Sequence, residues 1–232
     1  MEQFISDLTS SKFYKKLFEF DEVIMIYIAG SRILGCIDDR SDYDLIVITR
    51  NKSNYKLNEY LVYENKKVHW YFQSIDTFYA DLPLTVSNCV GLSAFKEMRD
   101  ELIIYKNPKY NELINTMMNH KIAISAIGSL CGYKTQMSLI NQIITDGTVR
   151  ERNKTKIIYM LCAMYYNLVD EPLDIEFLSI IKRIRWRDVP EKYIDQCVDV
   201  LINFKKYVES IDIDQKITER RSMLEKEISK FL

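Results

Sequence analysis

Two short apolar runs constrain this chain more than anything else in it: VIMIYIA at 23–29 and LIVI at 45–48, separated by the polar string Gly30 to Asp44. Runs so rich in Val and Ile predict buried strands. Gly30 and Ser31 close the first strand, ten residues follow, and Asp42 and Asp44 stand two apart where the second begins. Side chains at i and i+2 of a strand leave the same face, so the two carboxylates converge on one point. Carboxylates held that close repel each other unless a cation sits between them. Oxygen ligands of this kind select a hard divalent ion, Mg²⁺ with Mn²⁺ as a substitute, bridging to the phosphates of a nucleotide.

The residues around the acidic pair suit an anion. Gly30 can take a backbone conformation closed to other residues and lets the main chain approach a phosphate. Ser31 offers a hydroxyl and an amide at an expected helix N-terminus, where unpaired N–H groups and the dipole favour negative charge. Arg32 either adds a cation beside them or covers the helix surface. Gly35 allows a tight reversal. Asp38, Asp39, Arg40 and Ser41 form a polar loop into the carboxylate strand, with Ser41 counted among the nucleotide-binding candidates.

The spacing Gly30-Ser31, ten residues, Asp42-x-Asp44 resembles the signature of the DNA polymerase beta-like nucleotidyltransferase superfamily, which includes kanamycin nucleotidyltransferase and the minimal nucleotidyltransferases of toxin–antitoxin pairs. The run GSRILGCIDDRSDYDLIVI, then HWYFQSIDTF, GYKTQ and NKTKIIYMLCAMYYNLVDEPL, is similar to the RNA-repair-pathway nucleotidyltransferases of bacteria and phages. That similarity covers most of residues 22 to 210, and only its first segment is a sharp motif. It implies transfer of a nucleoside monophosphate from an NTP to an acceptor hydroxyl, with release of pyrophosphate. The implied acceptor is an RNA 3′ end; a protein tyrosine or a small molecule suits the same core.

One departure from the superfamily stands out. Its members usually carry a third carboxylate early on a later strand; here that strand is KVHWYFQS, and the position holds His69. Three roles are open to His69: a general base, since imidazole titrates near neutrality, a metal ligand, or a half-buried strand residue. Glu64 precedes an expected Asn65-Lys66 turn and Asp76 reads as a helix N-cap, so neither replaces the missing acid.

Bulk properties narrow the class without naming it. A chain of 232 residues with 47% hydrophobic and 28% charged content forms a substantial core and is neither disordered nor fibrous. A net charge of −1 gives no global attraction to nucleic acid, although a local basic groove is compatible with it. Five dispersed cysteines without a C-x-x-C pair read as reduced thiols, and two histidines, 69 and 120, exclude a histidine-rich metal centre. With no signal-peptide pattern and no apolar stretch of membrane length, we expect a cytoplasmic protein with no membrane partner; oligomeric state is open.

The hydrophobic period changes once along the chain. An amphipathic helix is expected over 4–20, strands over 22–29 and 43–49, a hairpin from EYLVYE and KVHWYFQS around Asn65-Lys66, and a helix over 75–81 ending at Leu82-Pro83. Residues 83–108 read as loop and short helix. Beyond Pro108 the spacing is helical at 109–119, 121–145, 151–168, 174–184, 190–208 and 214–230, with breaks at Asp146-Gly147, Glu171-Pro172 and Val189-Pro190. The expected fold class is α+β: a small mixed β-sheet nucleotidyltransferase domain with flanking helices over 1–108, followed by an all-α helical bundle over 109–232 that walls the cleft.

In the helical half, Tyr133, Lys134, Lys154 and Lys156 stand where related enzymes supply cations to the triphosphate or face the base, and Lys156 ranks first; the bland account of each lysine is a solvated surface residue. The run KRIRWRD at 182–188 places four cations around Trp186, a pattern that suits nucleic-acid stacking or, more ordinarily, arginine stems covering the ring. The alternative to an enzyme is a catalytically weakened nucleotidyltransferase fold that binds nucleotide, RNA or a partner protein, for example in a toxin–antitoxin or phage-defence setting.

Overall fold

The computed structural model describes residues 1–39, 41–51, 61–75, 91–146, 152–169 and 171–231. The fold is mixed α+β. Strands β1 (Val23–Ala29), β2 (Tyr43–Thr49), β3 (Leu61–Tyr63), β4 (Lys66–Ser74) and β5 (Ile103–Lys106) form one sheet in the order β3-β4-β2-β1-β5. β1 is antiparallel to both β2 and β5, β2 is parallel to β4, and β3 is antiparallel to β4. β1 is buried along its whole length, and β2 in all but Asp44. This is why both read as near-continuous apolar runs.

The expected helix over 4–20 is two, α1 (Glu2–Ser10) and α2 (Lys12–Phe20). Ser11 adopts an extended ψ of 149° and its hydroxyl accepts from the Tyr14 amide at 3.0 Å, so a local N-cap breaks a period that runs through it. Phe13 and Leu17 of α2 join Ile26 and Val47 on one face of the sheet, with Trp70 and Phe72 packed against them, while Phe4 of α1 stacks on Tyr43 at 3.8 Å. Phe18 lies at the rim against Tyr14 and Tyr105.

Two further expectations are corrected. The β3–β4 turn is Glu64-Asn65, both at positive φ, and Lys66 is already on the strand opposite Tyr63. This is the two-residue hairpin geometry that right-handed strand twist favours. Within 83–108, residues 91–97 are helical and 3₁₀ turns, and 103–106 is β5, an edge strand too short to show alternation in sequence. The expected helix beyond Ile75, its Pro83 stop and the Asp76 cap lie outside the described residues.

After Pro108 every regular element described is helical: α3 (Asn111–Asn119), α4 (Lys121–Asp146), α5 (Arg152–Leu168), α6 (Ile175–Arg183), α7 (Glu191–Glu209) and α8 (Ile213–Ile228), joined by 3₁₀ turns. Asp174 caps α6 through the Phe177 amide at 3.0 Å and Asp212 caps α8 through the Gln215 amide at 2.9 Å. Ser129 of α4 donates to the Met164 carbonyl of α5 at 2.8 Å. A single cluster of buried apolar residues runs from Phe4 through the sheet to Ile228. No helix among the described residues is long and apolar enough to cross a membrane.

Candidate active site

The register of β1 with β2 sets Ala29 opposite Asp44, so the chain leaving β1 passes directly over that carboxylate. Gly30 sits there at φ 65°, and a Cβ built on it would collide with Oδ2 of Asp44. Conformation and space both demand glycine. The expected helix at Ser31 is absent. Residues 31–35 form successive turns, with the Gly35 amide bonded to the Arg32 carbonyl at 3.2 Å and the Cys36 amide to the Ser31 carbonyl at 2.9 Å. Gly35, at φ 73°, reverses the chain before a longer helical run can form.

Asp42 accepts from the Lys67 amide at 3.1 Å, and His69 Nε2 lies 3.5 Å from its Oδ2. Asp44 accepts from the Tyr71 hydroxyl at 3.4 Å. The parallel register places His69 beside Asp44, and Tyr71 beside Ile46. Burial raises the Asp44 carboxyl above its usual range, His69 and Lys156 oppose that rise, and Asp42 adds to it. An electrostatic deficit of this kind, on oxygen ligands in a cleft, fits a hard divalent cation. Among the described residues no group of three or more His, Cys, Asp or Glu side chains forms a metal site by itself. Two carboxylates suit Mg²⁺, which commonly completes its shell with water and substrate phosphates.

Gly30, Ser31, Ser41, Asp42, Asp44, His69 and Lys156 line one cleft of about 230 Å³, far more space than one water needs. Arg32 does not line it. Its side chain is 7% exposed, Nη2 donates to the Ser41 carbonyl at 3.1 Å, Nε donates to the Asp42 carbonyl at 3.3 Å, and the guanidinium lies 3.7 Å over the Tyr43 ring. It braces the loop from behind, a role its sequence position beside the Gly-Ser pair does not reveal.

A different cation takes the place expected of it. Lys182 of α6 lines the cleft and donates to the Ser41 hydroxyl and the Cys36 carbonyl, each at 2.8 Å. Desolvation pulls its ammonium pKa down, while Asp38 and Cys36 push it back up. In sequence Lys182 belongs to the basic run around Trp186, and nothing there separates it from its neighbours. Trp186 is buried in the core and presents no ring for stacking.

Tyr71, Gln73, Tyr159 and Met160 also line the cleft. Their signals were present: Tyr71 and Gln73 follow His69 at strand spacing, and Tyr159 and Met160 follow Lys156 at helical spacing. Tyr133 and Lys134 lie elsewhere, Tyr133 buried against Phe204 and Lys134 paired with Asp214 on α8. The side chain of Lys154 lies outside the described residues. Glu64 is in the hairpin turn. No family model and no curated protein matches the chain.

Proposed function

We propose that this chain is a metal-dependent nucleotidyltransferase of the polymerase beta-like superfamily, with residues 1–108 carrying the chemistry and 109–232 walling the cleft. The observation that supports it is the convergence of Asp42, Asp44, the Gly30-Ser31 turn and two lysine side chains on a single cavity. Asp42 and Asp44 would hold Mg²⁺ or Mn²⁺, which when bound neutralises charge on a triphosphate during in-line displacement. Ser31 and Ser41 line the same space, and Lys156 and Lys182 supply positive charge to phosphate oxygens.

An acceptor hydroxyl attacks the α-phosphorus, the bond to the β-phosphate oxygen breaks, and pyrophosphate leaves. His69, beside both carboxylates, receives the hydroxyl proton. The acceptor we propose is an RNA 3′ end.

A second proposal draws on the same histidine. With an imidazole beside Asp44 where the superfamily places an acid, the fold would bind nucleotide without turnover and act as a sensor. One experiment separates the two: incubation with each labelled NTP, Mg²⁺ or Mn²⁺, and RNA or protein acceptors, for the unmodified chain and for Asp42→Ala/Asp44→Ala. Transfer lost in the double variant supports the enzyme. Transfer that survives it removes Asp42 and Asp44 from the site, and metal-dependent binding without transfer favours the sensor.

A further inference from the structure

The cleft continues inward beyond the acidic pair. His69, Tyr71 and Gln73 alternate along β4 and so share the face that carries Asp44 and Ile46 of β2. Gln73 lies four residues past His69, roughly 13 Å at about 3.3 Å per residue. Met160 of α5 and Gly91 line the cleft along with Ile46. A Cβ on Gly91 would press on the Ile46 side chain at 2.9 Å, so main chain rather than a side chain borders the space there. Gln73 is 8% exposed, and its Oε1 is buried without a hydrogen-bond partner. A buried amide oxygen left unpaired is unfavourable, and an N–H from a ligand relieves it.

We propose that this inner end is a nucleobase subsite for adenine, with Gln73 reading the edge of the base; the assignment rests on the nucleotidyltransferase reading above. A primary amide presents one donor and one acceptor in a single plane. The edge it reads is the one that carries N7, where adenine sets its 6-amino donor beside the N7 acceptor. On that edge guanine shows two acceptors, uracil one acceptor and cytosine one donor, so adenine alone answers both halves of the amide. Ile46 and Met160 offer apolar contact to the ring faces. The base then lies along β4, with the triphosphate directed back to Asp42, Asp44 and the Gly30-Ser31 turn.

The test is calorimetric titration with the Mg²⁺ complexes of tripolyphosphate, ATP, GTP, CTP and UTP, for the unmodified protein and for Gln73→Met, which keeps side-chain length and removes both polar atoms. ATP is expected to bind about tenfold tighter than the other three nucleotides, the effect of two hydrogen bonds in a buried site. Gln73→Met is expected to bring ATP to their level while tripolyphosphate binds as before. Equal affinities for all four nucleotides, or preference for a base other than adenine, overturn the subsite while tripolyphosphate binding keeps the cradle. Failure of tripolyphosphate and every nucleotide to bind overturns the nucleotidyltransferase reading and the subsite with it. Should Gln73→Met not fold, the comparison of nucleotides on the unmodified chain decides alone.

Discussion

Lys182 donates to Ser41 Oγ at 2.8 Å, joining the last turn of α6 to the residue immediately before the acidic pair. That hydroxyl also accepts from the Asp38 amide at 2.8 Å and donates to Asp38 Oδ1 at 3.1 Å, which uses its full hydrogen-bonding capacity. Lys182→Met keeps the apolar stem and removes the ammonium. The lost bonds to a charged donor are partly offset by the desolvation that Lys182 no longer suffers. Urea denaturation is expected to show a loss of about 1–2 kcal/mol. Nucleoside triphosphate affinity, read by titration, should fall about tenfold or more with the removal of a cation from the cleft. Unchanged stability would mean that Arg32 alone holds the loop.

Gly30 answers to two constraints at once, a positive φ and the Asp44 carboxylate beneath it. Gly30→Ala breaks both. The left-handed conformation costs an alanine about 1 kcal/mol, and displacement of Asp44 adds to that. Thermal denaturation is expected to show a lower Tm, and metal-dependent nucleotide binding should be lost even where the variant remains folded. Normal binding in a folded Gly30→Ala protein would place the phosphates away from this turn.

Burial holds the Asp44 carboxyl above its ordinary value of 3.8. A folded-state value above the unfolded one gives stability that is fully present below the unfolded value and is lost as pH rises through the folded one. At neutral pH the ionised side chain is therefore a burden on the protein without metal. Asp44→Asn is expected to raise Tm in chelator at pH 7, with the advantage vanishing below about pH 4. Added Mg²⁺ should raise the Tm of the unmodified protein and leave that of Asp44→Asn unchanged. The reverse pattern, a variant less stable than the unmodified protein in chelator at pH 7, would remove the desolvation account.

Particular residues show which parts of this arrangement the sequence revealed. β1 and β2 were legible because burial on both faces leaves an unbroken apolar run, and Asp42, Asp44 and Gly30 because backbone geometry ties their spacing to the ends of those strands. The break at Ser11 was not, since the apolar period continues through it and a single hydroxyl-to-amide bond decides the matter. β5 was hidden because four residues on a sheet edge carry too few side chains to display a pattern. Arg32 leaves the cleft and Lys182 enters it, because a long side chain's destination depends on which element packs over it. Lys182 reaches the acidic loop only because α6 returns to the carbonyl of Cys36, a contact between residues far apart in sequence. Gln73 reads in sequence as one more polar residue on a half-buried strand; only the structure shows that it lines the cleft and carries a buried, unpaired amide oxygen.

His69 stands at the β4 position level with Asp44, its Nε2 3.5 Å from Asp42 Oδ2, so proton acceptance and orientation of Asp42 are separable roles. His69→Ala removes both, and His69→Gln keeps a polar group near Asp42 without a basic nitrogen. If the imidazole takes the acceptor's proton, both variants are expected to lower kcat for nucleotidyl transfer about 100-fold or more with little change in KM. His69→Asp, which supplies a carboxylate, should recover part of the rate. Rescue by Gln would reduce the residue to holding Asp42 in place. Transfer within about twofold of the unmodified rate in His69→Ala would leave His69 as cleft lining, with solvent taking the proton.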